Sequence, residues 1–127
     1  MNQEIKKKWV DALRSGKYKQ GKGTLRFNDK YCCLGVLTDL YIKSNNREWT
    51  DKHSRVDDNS DYYNVYEFEG TLSVLSESVK NWAGLKSNCP SVDYKCGNPL
   101  STRKLLVELN DQDTSFVEIA NIIDKQL

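Results

Sequence analysis

The chain has no apolar run long enough to cross a membrane or to form the core of a signal peptide. That absence makes the cytoplasm the expected compartment and leaves the four cysteines expected to be reduced. There is one histidine, His53, and it lies in a polar stretch away from every cysteine, so a Cys–His nucleophile has little to draw on. The cysteines also lack a zinc-type spacing: Cys32 and Cys33 are adjacent, and Cys89 and Cys96 are seven apart. No catalytic residue, metal or cofactor is therefore assigned, and the chain is expected not to be an enzyme. Internal repeats and low-complexity tracts are lacking too, so residues 1–127 read as a single domain. A net charge of only +1 argues against a protein dedicated to coating nucleic acid.

What charge there is, is unevenly spread. Residues 1–30 hold nine basic and three acidic side chains, with no acid between Asp11 and Asp29. Residues 56–79 hold six acids (Asp57, Asp58, Asp61, Glu67, Glu69 and Glu77) and no base. Such a split gives either two solvated faces of opposite sign or a basic site that an acidic segment, or a second copy of the chain, can approach.

Apolar spacing sets the expected elements. Ile5, Trp9, Ala12 and Leu13 mark a helix over residues 3–15, stopped by Gly16. Residues 24–27 and 30–32 suit a short hairpin across Asn28-Asp29. Cys33, Leu37, Leu40 and Tyr41 favour a buried helix to about Lys43, with a strand over Leu34–Leu37 as the alternative. Residues 44–61 are polar and read as a loop. Residues 62–68 read as a strand, Glu69-Gly70 as a turn, and residues 71–75 as the returning strand. Ser76 is the expected N-cap of a helix through Trp82, with Gly84 as its stop. Residues 86–99 read as irregular, ending at Pro99. Residues 101–109 read as a helix, and Asn110–Asp113 as a turn. Ser115 with Glu118 forms a capping box that opens a last helix bearing Phe116, Ile119, Ala120, Ile123 and Leu127 on one face. The expected fold is α+β: short antiparallel hairpins against several helices, ending in an αα-hairpin. Leu105–Ile123 also has the outline of a helix-turn-helix, but its second helix carries Glu118 and Asp124, which suits the core better than a DNA groove.

One stretch combines glycine with positive charge: Gly16-Lys17-Tyr18-Lys19-Gln20-Gly21-Lys22-Gly23-Thr24-Leu25-Arg26. It nearly spells a P-loop, but Gly23 stands where Ser or Thr should hold Mg²⁺, and the run follows a helix rather than a strand. Backbone N–H groups near Gly21 and Gly23, with Lys or Arg side chains, remain able to hold anionic oxygens. Trp9 and Trp82 fall on helical apolar faces and belong to the expected core. Trp49, Tyr62, Tyr63 and Tyr66 fall in or beside loops, where they either stack on a base or cover the core edge. Cys32 and Cys33 lie in an apolar run as small hydrophobes.

Several of these residues together, namely Ala12-Leu13-Arg14-Ser15-Gly16-Lys17-Tyr18 with Gln20-Gly21-x-Gly23-x-Leu25, then Tyr31-Cys32-Cys33-Leu34-Gly35-Val36-Leu37, Trp82-x-Gly84-Leu85, Leu109-Asn110-Asp111 and Ser115-Phe116-x-Glu118-Ile119-Ala120, resemble a signature of small proteins encoded by tailed bacteriophages. The resemblance implies a protein acting in the cytoplasm of an infected bacterium. By analogy with other small phage proteins, it implies sequestration of a nucleotide signal of bacterial defence. The expected function is thus a non-enzymatic binder of an anionic small molecule, a cyclic oligonucleotide or an ADP-ribose derivative. Its expected contacts are Lys17, Tyr18, Lys19, Gln20, Gly21, Lys22, Gly23, Arg26, Tyr31 and Trp49. A protein-binding inhibitor or adaptor acting on a host or phage protein is the alternative. Membrane and nucleic acid are not expected partners; a homo-oligomer is compatible with the charge split.

Overall fold

A computed structural model describes residues 1–56, 62–94 and 102–127, with the side chains of 53–56 and 62 left aside. Asp57, Asp58, Asp61, Cys96 and Pro99 lie outside the described residues, so the acidic segment is seen only in part. The first helix, α1 (Gln3–Arg14), forms where the spacing requires it. Asn2 caps it by accepting from the N–H groups of Glu4 and Ile5, and Ile5, Trp9, Val10 and Leu13 are buried. Gly16 follows at φ 74°, a left-handed conformation suited to a residue without Cβ.

Three two-residue strands come next: β1 (Lys19–Gln20), β2 (Arg26–Phe27) and β3 (Lys30–Tyr31). β2 and β3 pair antiparallel around Asn28-Asp29 as expected, and β1 runs parallel to β3. Helix α2 (Cys33–Ser44) is then almost wholly buried over its first two turns, which excludes the strand alternative.

Residues 44–61 are not all loop. Thr50–Val56 forms β4, antiparallel to β5 (Tyr62–Glu67). The alternation that marks a strand was missing because β4 is the edge of the sheet, ordered β1-β3-β2-β5-β4, and its Asp51 and Lys52 are exposed. The expected returning strand over 71–75 reduces to one bridge between Phe68 and Thr71, since β5 already has β4 and β2 as its neighbours. Helix α3 (Glu77–Ala83) has the expected Ser76 cap and Gly84 stop.

The C-terminal third departs further. Ser91–Tyr94 forms β6 in the stretch expected to be irregular, and Thr102–Leu105 forms β7 where a helix was expected. The two pair antiparallel, joined across the ladder by Arg103 and Asp93 at 3.2 Å. Only from Leu106 does the helical spacing prevail, giving α4 (Leu106–Asp111), which absorbs Asn110 and Asp111 from the expected turn. α5 (Phe116–Gln126) starts at Ser115, whose side chain accepts from the Glu118 N–H. Its Phe116, Ile119, Ala120 and Ile123 are buried, so α4 and α5 pack into the core as an αα-hairpin.

Two close contacts fix α2 within this α+β domain. A Cβ on Gly35 would stand 1.8 Å from the Leu25 carbonyl oxygen, so only glycine lets α2 meet the strand-bearing segment there. Asn110, fully buried, accepts from the Cys33 N–H at 3.2 Å and from the Gln20 amide at 3.0 Å, and donates to the Gly21 carbonyl at 2.7 Å. Asn110→Ala leaves these groups unpaired at about 1–3 kcal/mol each, so it should destabilise the domain by at least about 2 kcal/mol in urea unfolding. Gly35→Ala should be worse still, because backbone must move; a melting temperature unchanged in either variant would show that the contacts are dispensable.

Candidate functional site

The glycine-rich stretch turns out to be occupied by the protein itself. Gln20 donates to Asn110 and to the Thr114 carbonyl. The Gly21 N–H donates to the Tyr31 carbonyl at 2.7 Å, and Gly21 is buried; a Cβ there would lie 2.8 Å from the Phe27 ring. Lys22 pairs with Asp113, and the Gly23 N–H donates to the Asp111 carboxylate at 3.1 Å. Gln20, Gly21, Lys22 and Gly23 therefore form a clasp onto the α4–α5 corner. The expected backbone cradle for phosphate is spent on internal hydrogen bonds.

The other half of the expected site comes together elsewhere. Lys17, Tyr18, Lys19 and Tyr31 line an open groove of about 590 Å³ between the end of α1 and α2. Sequence reading missed its remaining walls: Asp11 and Ala12 from α1, its C-cap Ser15, Asp29 from the β2–β3 turn, and Leu40 and Lys43 from α2. The i, i+4 spacing of Asp11 and Ser15, and the i, i+3 spacing of Leu40 and Lys43, put each pair on one helix face. That spacing was legible; that the two faces oppose each other was not. Lys19 is answered by Asp29 at 3.0 Å, and that ammonium holds the Asp29 carboxyl below its ordinary value. The Lys17 ammonium is exposed and has no partner among the described residues.

Behind the groove sits a buried carboxylate. Asp39, 4 % exposed, accepts from the Tyr18 hydroxyl at 2.6 Å and from the Trp49 indole N–H at 3.0 Å, with the Lys43 ammonium at 3.0 Å. Burial pushes its carboxyl up, but these three donors together outweigh burial and hold it below the ordinary value. Burial, then the hydrogen bond to Asp39, pushes the Tyr18 phenol well above its ordinary range. The proton thus stays on Tyr18 and the charge on Asp39, so the pair positions Tyr18 and Lys43 without offering an acid or base near neutral pH.

Tyr31 links this network to an aromatic cluster. It meets Tyr18 edge-on at 5.1 Å and lies 6.2 Å from Trp49. The Arg26 guanidinium stands 4.0 Å from the centre of the Tyr66 ring, 5.3 Å from Tyr31 and 5.8 Å from Trp49, while its Nε donates to the Asn28 carbonyl. Arg26 and Trp49 therefore stiffen the sheet behind the groove and do not line it. Tyr63 packs on Phe27, away from the groove.

The thiols stand apart from all of this. Burial pushes Cys32 up to about 11 and Cys33 higher than its ordinary value, and Cys32 caps α2 through the Gly35 N–H. Among the described residues no group of His, Cys, Asp and Glu is arranged to hold a metal, and no helix is long and apolar enough to cross a membrane.

The model of a domain of unknown function, DUF8296, matches the chain over residues 1–127. No curated protein and no solved structure matches it.

The depressed Asp39 carboxyl carries a signed pH dependence. Its stabilisation is present above the ordinary carboxylate value near 3.8 and is lost as pH falls through the lower folded value. Asp39→Asn should cost about 1–3 kcal/mol at neutral pH, and its deficit against wild type should shrink below about pH 4. Parallel urea titrations from pH 7 to pH 3 check this; a deficit that stays constant would mean that the charge of Asp39 contributes nothing.

Proposed function

The chain belongs to the DUF8296 family, and for it we propose the binding of an anionic, ring-bearing small molecule of nucleotide type in the groove between α1 and α2, without chemical change. The observation that carries this reading is the juxtaposition of Lys17, Lys19 and Lys43 with the rings of Tyr18 and Tyr31 around one cavity of about 590 Å³. That volume is in the range of about 300–1,000 Å³ that small-molecule sites occupy. Ammonium groups answer phosphate oxygens, and aromatic rings accept a base by stacking. Asp39 fixes Tyr18 and Lys43 in advance, which lowers the ordering cost of binding. The binder reading, rather than an enzyme, is supported by the locked Tyr18–Asp39 proton and the buried thiols. The resemblance to tailed-phage proteins supports the further proposal that the ligand is a nucleotide signal of bacterial defence, held in the host cytoplasm.

A thermal-shift and mass-spectrometry screen against cyclic oligonucleotides and ADP-ribose derivatives tests the reading. A ligand near 100 times its Kd should add about 2.7 kcal/mol of stability and be recovered intact after denaturation. Lys17→Ala should weaken binding about tenfold with folding unchanged. Lys22→Ala, which touches only the clasp, should leave binding unchanged and alter stability by about 1 kcal/mol or less. Recovery of a cleaved product, or a loss of binding in Lys22→Ala but not in Lys17→Ala, would overturn this assignment.

A further inference from the structure

Of the three ammonium groups on the groove, Lys19 and Lys43 are answered by Asp29 and Asp39, and Lys17 stands without a partner among the described residues, open to an anionic ligand; none of them explains Asp11. This carboxylate lines the same groove, is exposed, and has no hydrogen bond or ion pair with any described residue. The groove's other carboxylate, Asp29, is already answered by Lys19 at 3.0 Å. A ligand that is anionic throughout would be repelled at Asp11; a ligand with N–H donors at one end and anionic oxygens at the other would satisfy both Asp11 and Lys17. Resting on the nucleotide reading of this groove, we propose that Asp11 reads the base, and that the base is a guanine-type purine.

The argument is one of donor patterns. A carboxylate only accepts. Guanine alone among the common bases sets two neighbouring donors, the ring N1–H and the exocyclic amino group, on its pairing edge, where two carboxylate oxygens meet them side by side. Adenine places an acceptor beside its amino group and leaves one carboxylate oxygen facing a lone pair. The surroundings of Asp11 suit this use. Ser15, the residue that caps the end of α1, donates its hydroxyl to the Ala12 carbonyl at 2.7 Å and accepts from the Lys17 N–H at 3.1 Å, so it holds the turn that carries Lys17 and does not compete for the ligand. Ala12 also lines the wall, and its side chain is short enough to leave room for a flat ring. Tyr18 and Tyr31 supply ring surface, and Lys17 stands beyond Gly16 to meet the phosphate.

Calorimetric titration of the intact chain with GMP, IMP and AMP tests the proposal. GMP should bind about tenfold or more tighter than AMP. IMP, which keeps the ring N–H but lacks the amino group, should fall between them. Asp11→Asn should weaken GMP and abolish its preference over AMP, without weakening AMP, because the carboxamide supplies a donor to the adenine acceptor; the melting temperature should stay unchanged, since the position is exposed. Equal binding of GMP and AMP by wild type, with both weakened by Lys17→Ala, would overturn the base assignment and leave the groove reading standing. A GMP preference that survives Asp11→Asn would remove Asp11 from the role. Absence of binding by all three nucleotides, by cyclic oligonucleotides and by ADP-ribose derivatives would overturn both readings together.

Discussion

The carboxamide of Asn110 is the point at which the chain's distant parts are tied. Its oxygen accepts from the first backbone N–H of α2, at Cys33, and from Gln20; its nitrogen donates to the Gly21 carbonyl and to Asp111. A neutral amide alone offers donors and an acceptor in this arrangement; an aspartate would meet the Gly21 carbonyl with a lone pair. Asn110 is fully buried, and so are Cys33 and Gly21, so those two backbone groups have no water to turn to. Gly21 must be glycine for the same packing, since a Cβ would meet Phe27 and Lys30. The tie also holds Trp9, whose indole N–H donates to the Cys33 carbonyl from α1.

With that corner fixed, α1 and α2 stand at a set separation, and the groove is what lies between them. Its chemistry depends on a second buried polar group, Asp39. Three donors from three parts of the chain, Tyr18, Trp49 and Lys43, converge on one carboxylate and hold it charged in the interior. The aromatic cluster around Arg26 closes the far side, so Tyr31 is packed on both flanks. The walls of the groove are thus held by hydrogen bonds made behind them, while the Lys17 ammonium and the Asp11 carboxylate stand on it without partners among the described residues.

The residues of the glycine-rich stretch and of the apolar run after it acquire a physical account here that differs from the one their composition suggests. Glycine beside lysine looks like a phosphate cradle. Yet Gly21 serves a close approach to Phe27, Gly23 turns its N–H to Asp111, Gln20 serves Asn110, and Lys22 serves Asp113. Cys32 caps α2 and Gly35 makes room for the Leu25 carbonyl. Most of these residues therefore serve the fold, while Ala12, Ser15, Lys17, Tyr18 and Tyr31 line the groove. Of the ten expected contact residues, Lys17, Tyr18, Lys19 and Tyr31 line the groove, while Arg26 and Trp49 support it from behind.

By itself the sequence determined α1, α3 and α5 with the Ser76 and Ser115 caps and the Gly16 and Gly84 stops, favoured a helix over a strand at α2, and determined the β2–β3 hairpin and the α+β class, because each rests on contacts within a few residues: a 3.6-residue apolar stripe, a capping side chain, a glycine stop. The caps by Asn2 and Cys32 came only with the structure. Only tertiary structure decided β4, β6 and β7. An edge strand needs no apolar face, and the pairing of Ser91–Tyr94 with Thr102–Leu105 is set by partners outside either segment. The same reason governs the site. Composition located a cationic, aromatic stretch, but which of its groups are consumed by Asn110, Asp111 and Asp113, and which face Asp11 and Lys43 across open space, is a matter of residues brought together from far along the chain. No local pattern carries that information, because the energies that decide it belong to hydrogen bonds formed only once the helices have packed.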